Sequence, residues 1–222
     1  LTVVRDENLA FEMFKKGELD YFVVTKAKTW VEEMNYDHFQ RGILLKRQVF
    51  NNYPANVSYL GFNTRRAPGN DIRVRKAMAL LLNRQLLIQK LFYDLYLPTN
   101  SFFPGTPYEN PSNPKNLYNP QEAIKLLAEA GWKDHDAQGR LIKSGQPLQI
   151  ELLYSNPESE LFLTPYQDDL RKVGISVNLR LTNPETRFKL MMQRQFQMVA
   201  SGWGAGGVFP DPRPEYHSST AD

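Results

Sequence analysis

The residues best suited to chemistry lie near the end of the chain, where a strand-like run leads into glycines, FQMVASGWGAGGVFPDP. Glycines leave backbone amides and carbonyls uncovered, and the indole of Trp203 adds a large apolar surface beside them. Such a combination suits the binding of a peptide-like main chain by hydrogen bonds. We therefore predict that Trp203, Gly204, Ala205 and Gly206 contact a ligand. The same pattern is compatible with a glycine-rich turn that buries Trp203 in the core.

A second group of candidate residues follows the apolar run LQIELLY, which predicts a strand. Tyr154, Ser155 and Asn156 stand at the carboxyl end of this strand. In open α/β sheets the ligand crevice lies beyond the carboxyl ends of the parallel strands. We therefore expect these three residues to line the same binding site.

The sequence offers little support for catalysis or for a metal. Glu18 and Asp20 lie two residues apart without a nearby histidine, so we interpret them as a turn and a solvent-facing pair. The chain contains no GxSxG or HExxH motif and no cysteine. Its three histidines lack ligand spacing, namely His38, His135 and His217. We expect no enzyme activity, no metal and no cofactor.

Composition limits the classes further. The chain has 222 residues, of which 41% are hydrophobic, which is enough to form a core. Its formal net charge is only +3 and acidic residues are interleaved throughout, so no basic stripe indicates nucleic-acid binding. Apolar runs such as MALLL are far shorter than a membrane-spanning helix requires.

The order of predicted elements indicates an α/β fold. Asp71 and Asn83 have the side chains of helix N-caps, and each precedes an apolar pattern of helical period. From residue 148 to residue 200 the chain alternates strand, helix, strand, helix, strand. This order predicts parallel crossovers and a mixed sheet flanked by helices.

Three local predictions complete this interpretation. Leu19–Val24 and Ile43–Phe50 have the composition of strands, and Pro165 is expected to break or start a helix. The segment 95–120 is rich in proline and aromatic residues, which predicts a long irregular excursion. Such a segment either serves binding over a cleft or wraps the outside of its own domain.

Several runs of sequence together resemble one known family. YLGFNT, NDIRVRKAMALLLNRQLLI, FKKGELDYFVV, EAIKLLAEAGW, LRKVGISVNLRLT and the GWG run are similar to motifs of the family 5 extracellular solute-binding proteins. These are the oligopeptide- and dipeptide-binding receptors of ABC importers. The positions that match the family signature are Asp71, Arg73, Arg75, Ala77 and Arg84.

The resemblance implies a fold, a location and partners. It implies the second lobe of a periplasmic-binding-protein-like fold of type II, the peptide-binding type, and a chain that is a fragment of a longer protein. Residues 1–56 would form the inter-lobe segment and the start of the lobe, and residues 57–222 the main α/β lobe continuous with it. The whole protein would be a periplasmic monomer that binds peptides or peptide-like solutes for membrane permease subunits, with a signal peptide outside this fragment.

Three departures from the family pattern bear on the ligand. Asn83 replaces an aspartate at a helix start, and Gln197 replaces the usual aspartate after the strand phenylalanine. Gly206 stands where peptide-binding members carry an aspartate for the ligand's free amino terminus, and Asp211 is a possible substitute. The glycine-rich run resembles the YejA-type branch of the family. A non-peptide solute, such as a sugar or a metal complex, is the alternative ligand, and a hydrolase or a nucleic-acid-binding domain is the least favoured interpretation.

Overall fold

The computed structural model describes residues 4, 6–50, 56–204, 211, 213 and 217–220. The chain forms two compact units. The first comprises Leu1–Asn51 with Ile88–Leu97, and the second comprises Asn52–Leu87 with Pro98–Asp222.

The first unit is built around a small aromatic core. Helix α1 (Glu7–Lys15) begins at Asp6, whose carboxylate accepts a hydrogen bond from the Leu9 amide at 2.8 Å, and the chain turns at Gly17 with φ +76°. A π-helical turn (Thr29–Glu33) and the short helix α2 (Asp37–Gln40) follow. The buried residues of this core are Phe11, Phe14 and Met34.

The prediction of strands at Leu19–Val24 and Ile43–Phe50 is wrong. Both segments lack a hydrogen-bonded strand partner in the described part of the chain. The apolar side chains Phe22, Val24 and Leu44 nevertheless pack on the small core. The apolar composition of these segments therefore reflects side-chain packing on the small core, whereas a strand also requires a neighbouring backbone.

A four-stranded mixed sheet forms the centre of the second unit. Its order is β1-β7-β5-β6, where β5 pairs in parallel with both β6 and β7, and β1 pairs antiparallel with β7. Helices α6 and α7 make the two crossover connections, as the order of elements predicted. The bounds are β1 (Val57–Phe62), β5 (Gln149–Tyr154), α6 (Glu160–Lys172), β6 (Ser176–Leu181), α7 (Pro184–Met192) and β7 (Met198–Trp203).

Two further helices, the first half of a third (up to Leu87) and a small second sheet complete this unit. Asp71 and Asn83 accept backbone hydrogen bonds from Arg73 (2.9 Å) and Leu86 (3.1 Å), which confirms both predicted N-caps. The helices are α3 (Ile72–Leu80), α4 (Arg84–Leu91) and α5 (Pro120–Glu129). The second sheet is an antiparallel insert of three short strands, β2 (Asp134–His135), β3 (Leu141–Lys143) and β4 (Gln146–Pro147).

The main core lies on one face of the four-stranded sheet. Strand residues Ile150, Leu152 and Met198 meet side chains of α3, α5 and α6 there. The helix residues at this contact are fully or almost fully buried: Val74, Ala77, Met78, Ala123, Leu127, Leu163, Tyr166 and Leu170. Burial of about ten large apolar side chains, at roughly 1.5–3 kcal/mol each, drives the assembly of this layer.

Helix α6 passes through Pro165 without ending, so the prediction of a break or a start at this residue is wrong. The proline removes one hydrogen bond, which would have gone to the carbonyl of Leu161. Because Leu161 is exposed, water can satisfy that carbonyl. The helix continues to Lys172, and Gly174 follows with φ +85° as the predicted left-handed stop.

In the described chain, none of the helices has both the length and the apolar character that crossing a membrane demands.

Candidate functional site

The candidate site lies at the edge of the sheet where β5 and β7 end. These strands are parallel neighbours, and their last residues are Tyr154 and Trp203. The parallel pairing therefore brings the two predicted groups of residues to the same edge of the sheet.

Strand register divides these residues between the two faces of the sheet. Successive side chains of a strand point to opposite faces. Tyr154 is buried in the main core, whereas Trp203 and Ser201 lie on the other face. Tyr59 joins them there, because it is the cross-strand partner of Ser201. The face opposite the main core therefore carries the exposed part of the site.

Trp203 is half-buried and stands in a group of aromatic rings. Its indole makes edge-to-face contacts with Phe102 (centroids 5.7 Å apart, planes at 79°) and Phe103 (5.1 Å, 89°). Tyr59 contacts Phe102 at 6.5 Å, and Tyr108 contacts Phe103 at 6.2 Å. We call these five residues the aromatic cluster. Edge-to-face pairs contribute about 0.5–1.5 kcal/mol each beyond the burial of area, so the cluster holds the indole in place.

The aromatic cluster is not a closed core. Phe102 remains 46% exposed and Tyr108 53% exposed. The cluster thus presents apolar surface to the outside while its central indole is fixed. Sequence reasoning identified the aromatic character of the proline-rich segment but did not connect Phe102 and Phe103 with Trp203.

Arg84 ties the two ends of the proline-rich loop to the body of the unit. Its guanidinium donates to the Thr99 carbonyl (2.8 Å) and to Asn100 Oδ1 (3.0 Å) at the start of the loop. It also donates to the carbonyls of Lys115 and Asn116 at the end of the loop. Burial lowers the pKa of this guanidinium, which nevertheless stays charged because an arginine titrates so high. An arginine of the family signature therefore positions the loop that carries Phe102 and Phe103.

Gly204 follows Trp203 directly and is exposed. A Cβ atom at this position would lie 2.6 Å from Oδ1 of Asn56, so the main chain and the Asn56 amide approach each other closely. Two other predicted contact residues, Ala205 and Gly206, lie outside the described residues.

The residues after β5 mainly serve the lobe itself. The hydroxyl of buried Tyr154 donates to Glu160 Oε1, and burial together with this hydrogen bond raises the pKa of Tyr154 to about 12. Asn156 accepts the Glu158 amide at 3.0 Å and so begins a short 3-10 helix. Ser155 is half-buried between them. Of the predicted residues, Trp203 lies on the face opposite the main core, Gly204 follows it at the end of β7, and Tyr154 is turned into the core.

Arg187 of α7 also reaches this edge, and sequence reasoning did not identify it. Its Nη1 donates to the Ala200 carbonyl and to Ser201 Oγ, both at 3.1 Å. Ser201 precedes Trp203 by two residues on the same face of the sheet. A cationic group therefore lies next to the aromatic cluster.

The whole chain, residues 1–222, matches the family model described as bacterial extracellular solute-binding proteins, family 5 Middle. The chain belongs to this solute-binding family. A curated relative, YejA of Escherichia coli (strain K12), is 28% identical over 233 residues, which cover 90% of this chain and 39% of YejA. The predicted family resemblance is confirmed.

Solved structures show the same fold. The structure of NikA from Brucella suis in complex with Fe(III)-EDTA is 27% identical with a TM-score of 0.75, and the match covers 93% of this chain and 41% of NikA. The structure of the oligopeptide-binding protein AppA from Bacillus subtilis with a nonapeptide is 25% identical with a TM-score of 0.74, and covers 98% of this chain and 43% of AppA. This family 5 chain thus spans about two fifths of the length of these relatives. The predicted fold class is confirmed, and the second unit is consistent with a lobe of that fold.

Gln197, one of the departures from the family pattern, has a structural role in this solute-binding chain. Its Oε1 accepts the Glu151 amide at 2.8 Å, and its Nε2 donates to the Ala67 carbonyl at 3.1 Å. An ionised aspartate accepts hydrogen bonds but donates none, so it could not make both. Gln197 lies at the amino end of β7, at the edge of the sheet opposite the candidate site. The replacement of the family's aspartate by Gln197 therefore affects the packing of the lobe.

Shallow depressions occur at that opposite edge as well. One of about 610 Å³ is lined by residues that include Asp71, Trp132 and Lys143, and one of about 380 Å³ by residues that include Glu151 and Gln197. Both are wide open to solvent, and several of their polar side chains are engaged with the lobe. Lys143, for example, donates to the Ala130 carbonyl at 2.7 Å. We therefore place the candidate site at the aromatic cluster.

Proposed function

We propose that this chain is part of the substrate-binding component of an ABC importer, and that the complete protein holds a peptide or peptide-like solute between two lobes. The observation that carries this proposal is the aromatic cluster at the carboxyl edge of the sheet, with the exposed main chain of Gly204 beside it. Ligand sites combine a mostly apolar wall with a few well-placed polar groups.

Binding at this edge requires no chemical step. The aromatic cluster supplies apolar contact for solute side chains, and the glycine main chain supplies hydrogen bonds that do not depend on the side chains of the solute. Ala205 and Gly206 would extend this hydrogen-bonding surface. Closure of two lobes by hinge motion would then bury the solute, and membrane permease subunits would recognise the closed form.

The site residues after β5 belong to the proposal in a supporting role. Ser155 and Asn156 directly follow β5, the parallel neighbour of β7, so their backbone lies at the edge where the solute would enter. Tyr154 lies on the core face of the sheet and fixes the end of β5 through the hydrogen bond that its hydroxyl donates to Glu160. We propose that these residues shape the crevice and that Trp203 and Gly204 make the principal contacts.

A non-peptide solute is the second candidate. The NikA structure holds Fe(III)-EDTA, whereas the AppA structure holds a nonapeptide, so this fold accommodates both classes in relatives. For this chain we favour peptides, because a glycine-rich edge offers main-chain hydrogen bonds that an extended peptide can pair with.

The proposed importer role implies a location and a state. The family name describes extracellular solute-binding proteins. We propose that the complete protein works outside the cytoplasm, in the periplasm, as a monomer that delivers solute to its permease partner.

A hydrolytic function gains no support from the histidines. His217 contacts Ser219 Oγ at 2.8 Å, but the Ser219 amide donates to the same ring nitrogen at 3.2 Å. Both residues are exposed and lie two positions apart in one turn. This geometry is that of a local turn, whereas a nucleophile and its base converge in a pocket.

The test is a binding experiment on the full-length protein. We expect native mass spectrometry of freshly purified protein to show bound peptides, and calorimetry with a pool of short peptides to show saturable binding. Trp203→Ala should weaken this binding at least about tenfold, because it removes the centre of the aromatic cluster. Trp132→Phe, at the opposite edge, is the control and should leave binding unchanged. A bound metal complex or sugar would favour the second candidate, and absence of any peptide binding would contradict the proposal.

Gly204→Ala tests whether the solute contacts the exposed main chain, independently of the aromatic cluster. The added methyl group would meet only the end of the Asn56 side chain, which can move, so we expect a change in stability below about 1 kcal/mol. If the solute approaches this backbone closely, affinity should fall several-fold at an unchanged melting temperature. Equal affinity of wild type and variant would show that the solute does not use this part of the main chain.

A further inference from the structure

Arg187 is the charged residue next to the aromatic cluster. It occupies the fourth position of α7, whose start is fixed by Asn183 Oδ1 accepting the Thr186 amide at 2.7 Å. From this helix the side chain reaches across the face of the sheet opposite the main core and contacts the end of β7.

The contact with Ser201 places the guanidinium beside the aromatic rings. Ser201 is the direct cross-strand partner of Tyr59 and stands two residues before Trp203 on the same face. Neighbouring side chains on one face of a sheet are about 5–7 Å apart. Arg187 and Trp203 are therefore close enough for a single solute to contact both side chains at once.

The hydrogen bonds of Arg187 leave one side of the guanidinium unused. Nη1 serves both acceptors, the Ala200 carbonyl and Ser201 Oγ. Nε is shielded from solvent and has no acceptor, and no described residue accepts from Nη2. A solute cannot reach the shielded Nε, whereas Nη2 is not among the shielded atoms that lack a partner and is therefore open to an acceptor from outside.

The charge of Arg187 is also uncompensated in the described part of the chain. Arg180 on the neighbouring strand β6 pairs with Glu151 at 3.2 Å, and Arg73 pairs with Asp71 at 2.7 Å. Arg187 forms no such ion pair with a described carboxylate. The half-buried site thus holds a fixed positive charge whose Nη2 is open to an oxygen of a solute carboxylate.

We infer that Arg187 binds a carboxylate of the solute, and that the preferred solute carries this carboxylate next to an aromatic or large aliphatic group that packs on the aromatic cluster. The free carboxyl end of a peptide with an apolar last residue has this chemistry. The inference rests on the proposed function, because it takes the edge at Trp203 as the place where solute is held.

Two matched pairs of probes test the inference on the full-length protein by calorimetry. One pair is the tripeptide Ala-Ala-Phe and its carboxyl-terminal amide, and the other is 3-phenylpropionate and 3-phenylpropanamide. Wild-type protein should bind each acid at least about tenfold more tightly than its amide, as expected for a charge-assisted hydrogen bond. Arg187→Gln should bring the acids to the level of the amides. Arg187→Lys should retain part of the preference, because it keeps the charge.

Lys189→Gln is the control on the same helix, since Lys189 is exposed, and it should keep the full preference for acids. The comparison of acid with amide in the wild-type protein needs no variant, so it decides the matter even if Arg187→Gln unfolds. Equal binding of acid and amide, an undiminished preference in Arg187→Gln, or failure of all four probes to bind near their solubility limits would overturn the inference. Binding of the phenylpropionate pair with the expected preference, but of neither tripeptide, would contradict the proposed peptide function and leave the role of Arg187 standing.

Discussion

At the scale of single residues, the side chains that fix helix starts are distinct from those of the candidate site. Asp71 begins α3 and also pairs with the guanidinium of Arg73, whose Nη2 lies 2.7 Å from its Oδ2. The pKa of Asp71 is lowered to about 2, chiefly by the hydrogen bond from Arg73. This carboxylate therefore stabilises the fold through its charge as well as through its capping geometry.

Replacing Asp71 by Asn separates these two contributions, because an amide oxygen still caps the helix. A carboxylate whose pKa is lowered in the folded state stabilises above its unfolded pKa, and this contribution is lost as the pH falls from about 5 towards 2. We expect Asp71→Asn to reduce the free energy of unfolding by about 1–2 kcal/mol at pH 7, allowing for the part-exposed Arg73, and by almost nothing near pH 2. Urea unfolding across this pH range measures the difference.

The control for this prediction is Asp168→Asn, which removes an exposed ion pair with Arg171 and should change the free energy of unfolding by less than about 1 kcal/mol. A difference between wild type and Asp71→Asn that stays constant down to pH 2 would contradict the assigned role of the charge.

At the scale of elements, the sequence predicted what depends on neighbours along the chain. Asp71, Asn83 and Gly174 act where they were expected, because caps and left-handed turns depend on a few adjacent residues. Strands were wrongly predicted at Leu19–Val24 and Ile43–Phe50, because pairing depends on a distant backbone that composition does not reveal.

The candidate site shows the same division. Trp203 and Gly204 could be identified as candidate site residues from their residue types and their spacing in the sequence. The contacts of Trp203 with Phe102 and Phe103 join positions about one hundred residues apart, and no local pattern encodes them. Arg187 was missed because a lone arginine in a helix gives no signal, and only the fold shows that it reaches Ser201.

The link between α4 and the proline-rich loop gives a prediction at this scale. Arg84→Gln removes a side chain that bonds to both ends of the loop, and Gln cannot span all of these acceptors. We expect a loss of about 2–3 kcal/mol in stability and faster chymotrypsin cleavage after Phe102, Phe103 or Tyr108. Limited proteolysis followed by mass spectrometry measures the cleavage.

Arg84→Lys should lose nearly as much stability and be cleaved nearly as fast, because an ammonium lacks the planar fork of donors of a guanidinium. Lys90→Gln, at an exposed position of α4, should leave cleavage unchanged. Cleavage of Arg84→Gln at the wild-type rate would show that the loop is held by other contacts.

At the scale of the whole molecule, the two units have very different interiors. The second unit buries a continuous layer between a sheet and three helices, whereas the first, among its described residues, relies on a core of three buried side chains. The extended segments of the first unit leave apolar side chains such as Tyr21, Val49 and Phe50 largely exposed. Stability within the 222-residue chain should therefore be uneven.

Hydrogen exchange of the 222-residue chain measures this unevenness. Amides of β5 and β6, which lie in parallel pairing over a buried layer, should exchange orders of magnitude more slowly than amides at positions 21–26 and 45–50. The reason is that the latter have no strand partner among the described residues. Comparable protection in both regions would show that these segments are paired after all.

The tie between Arg84 and the two ends of its loop has a consequence for how proteins of this solute-binding family diversify. Since one guanidinium closes the stem, the stretch 101–114 behaves as an exchangeable module whose length and aromatic content can change without rebuilding the helices or the sheet. Doubling the length of a flexible loop costs only about 0.6 kcal/mol in closure entropy. New solute preferences could thus evolve by replacing this module alone, and a transplant of the stretch between related receptors should carry preference for bulky apolar groups with it.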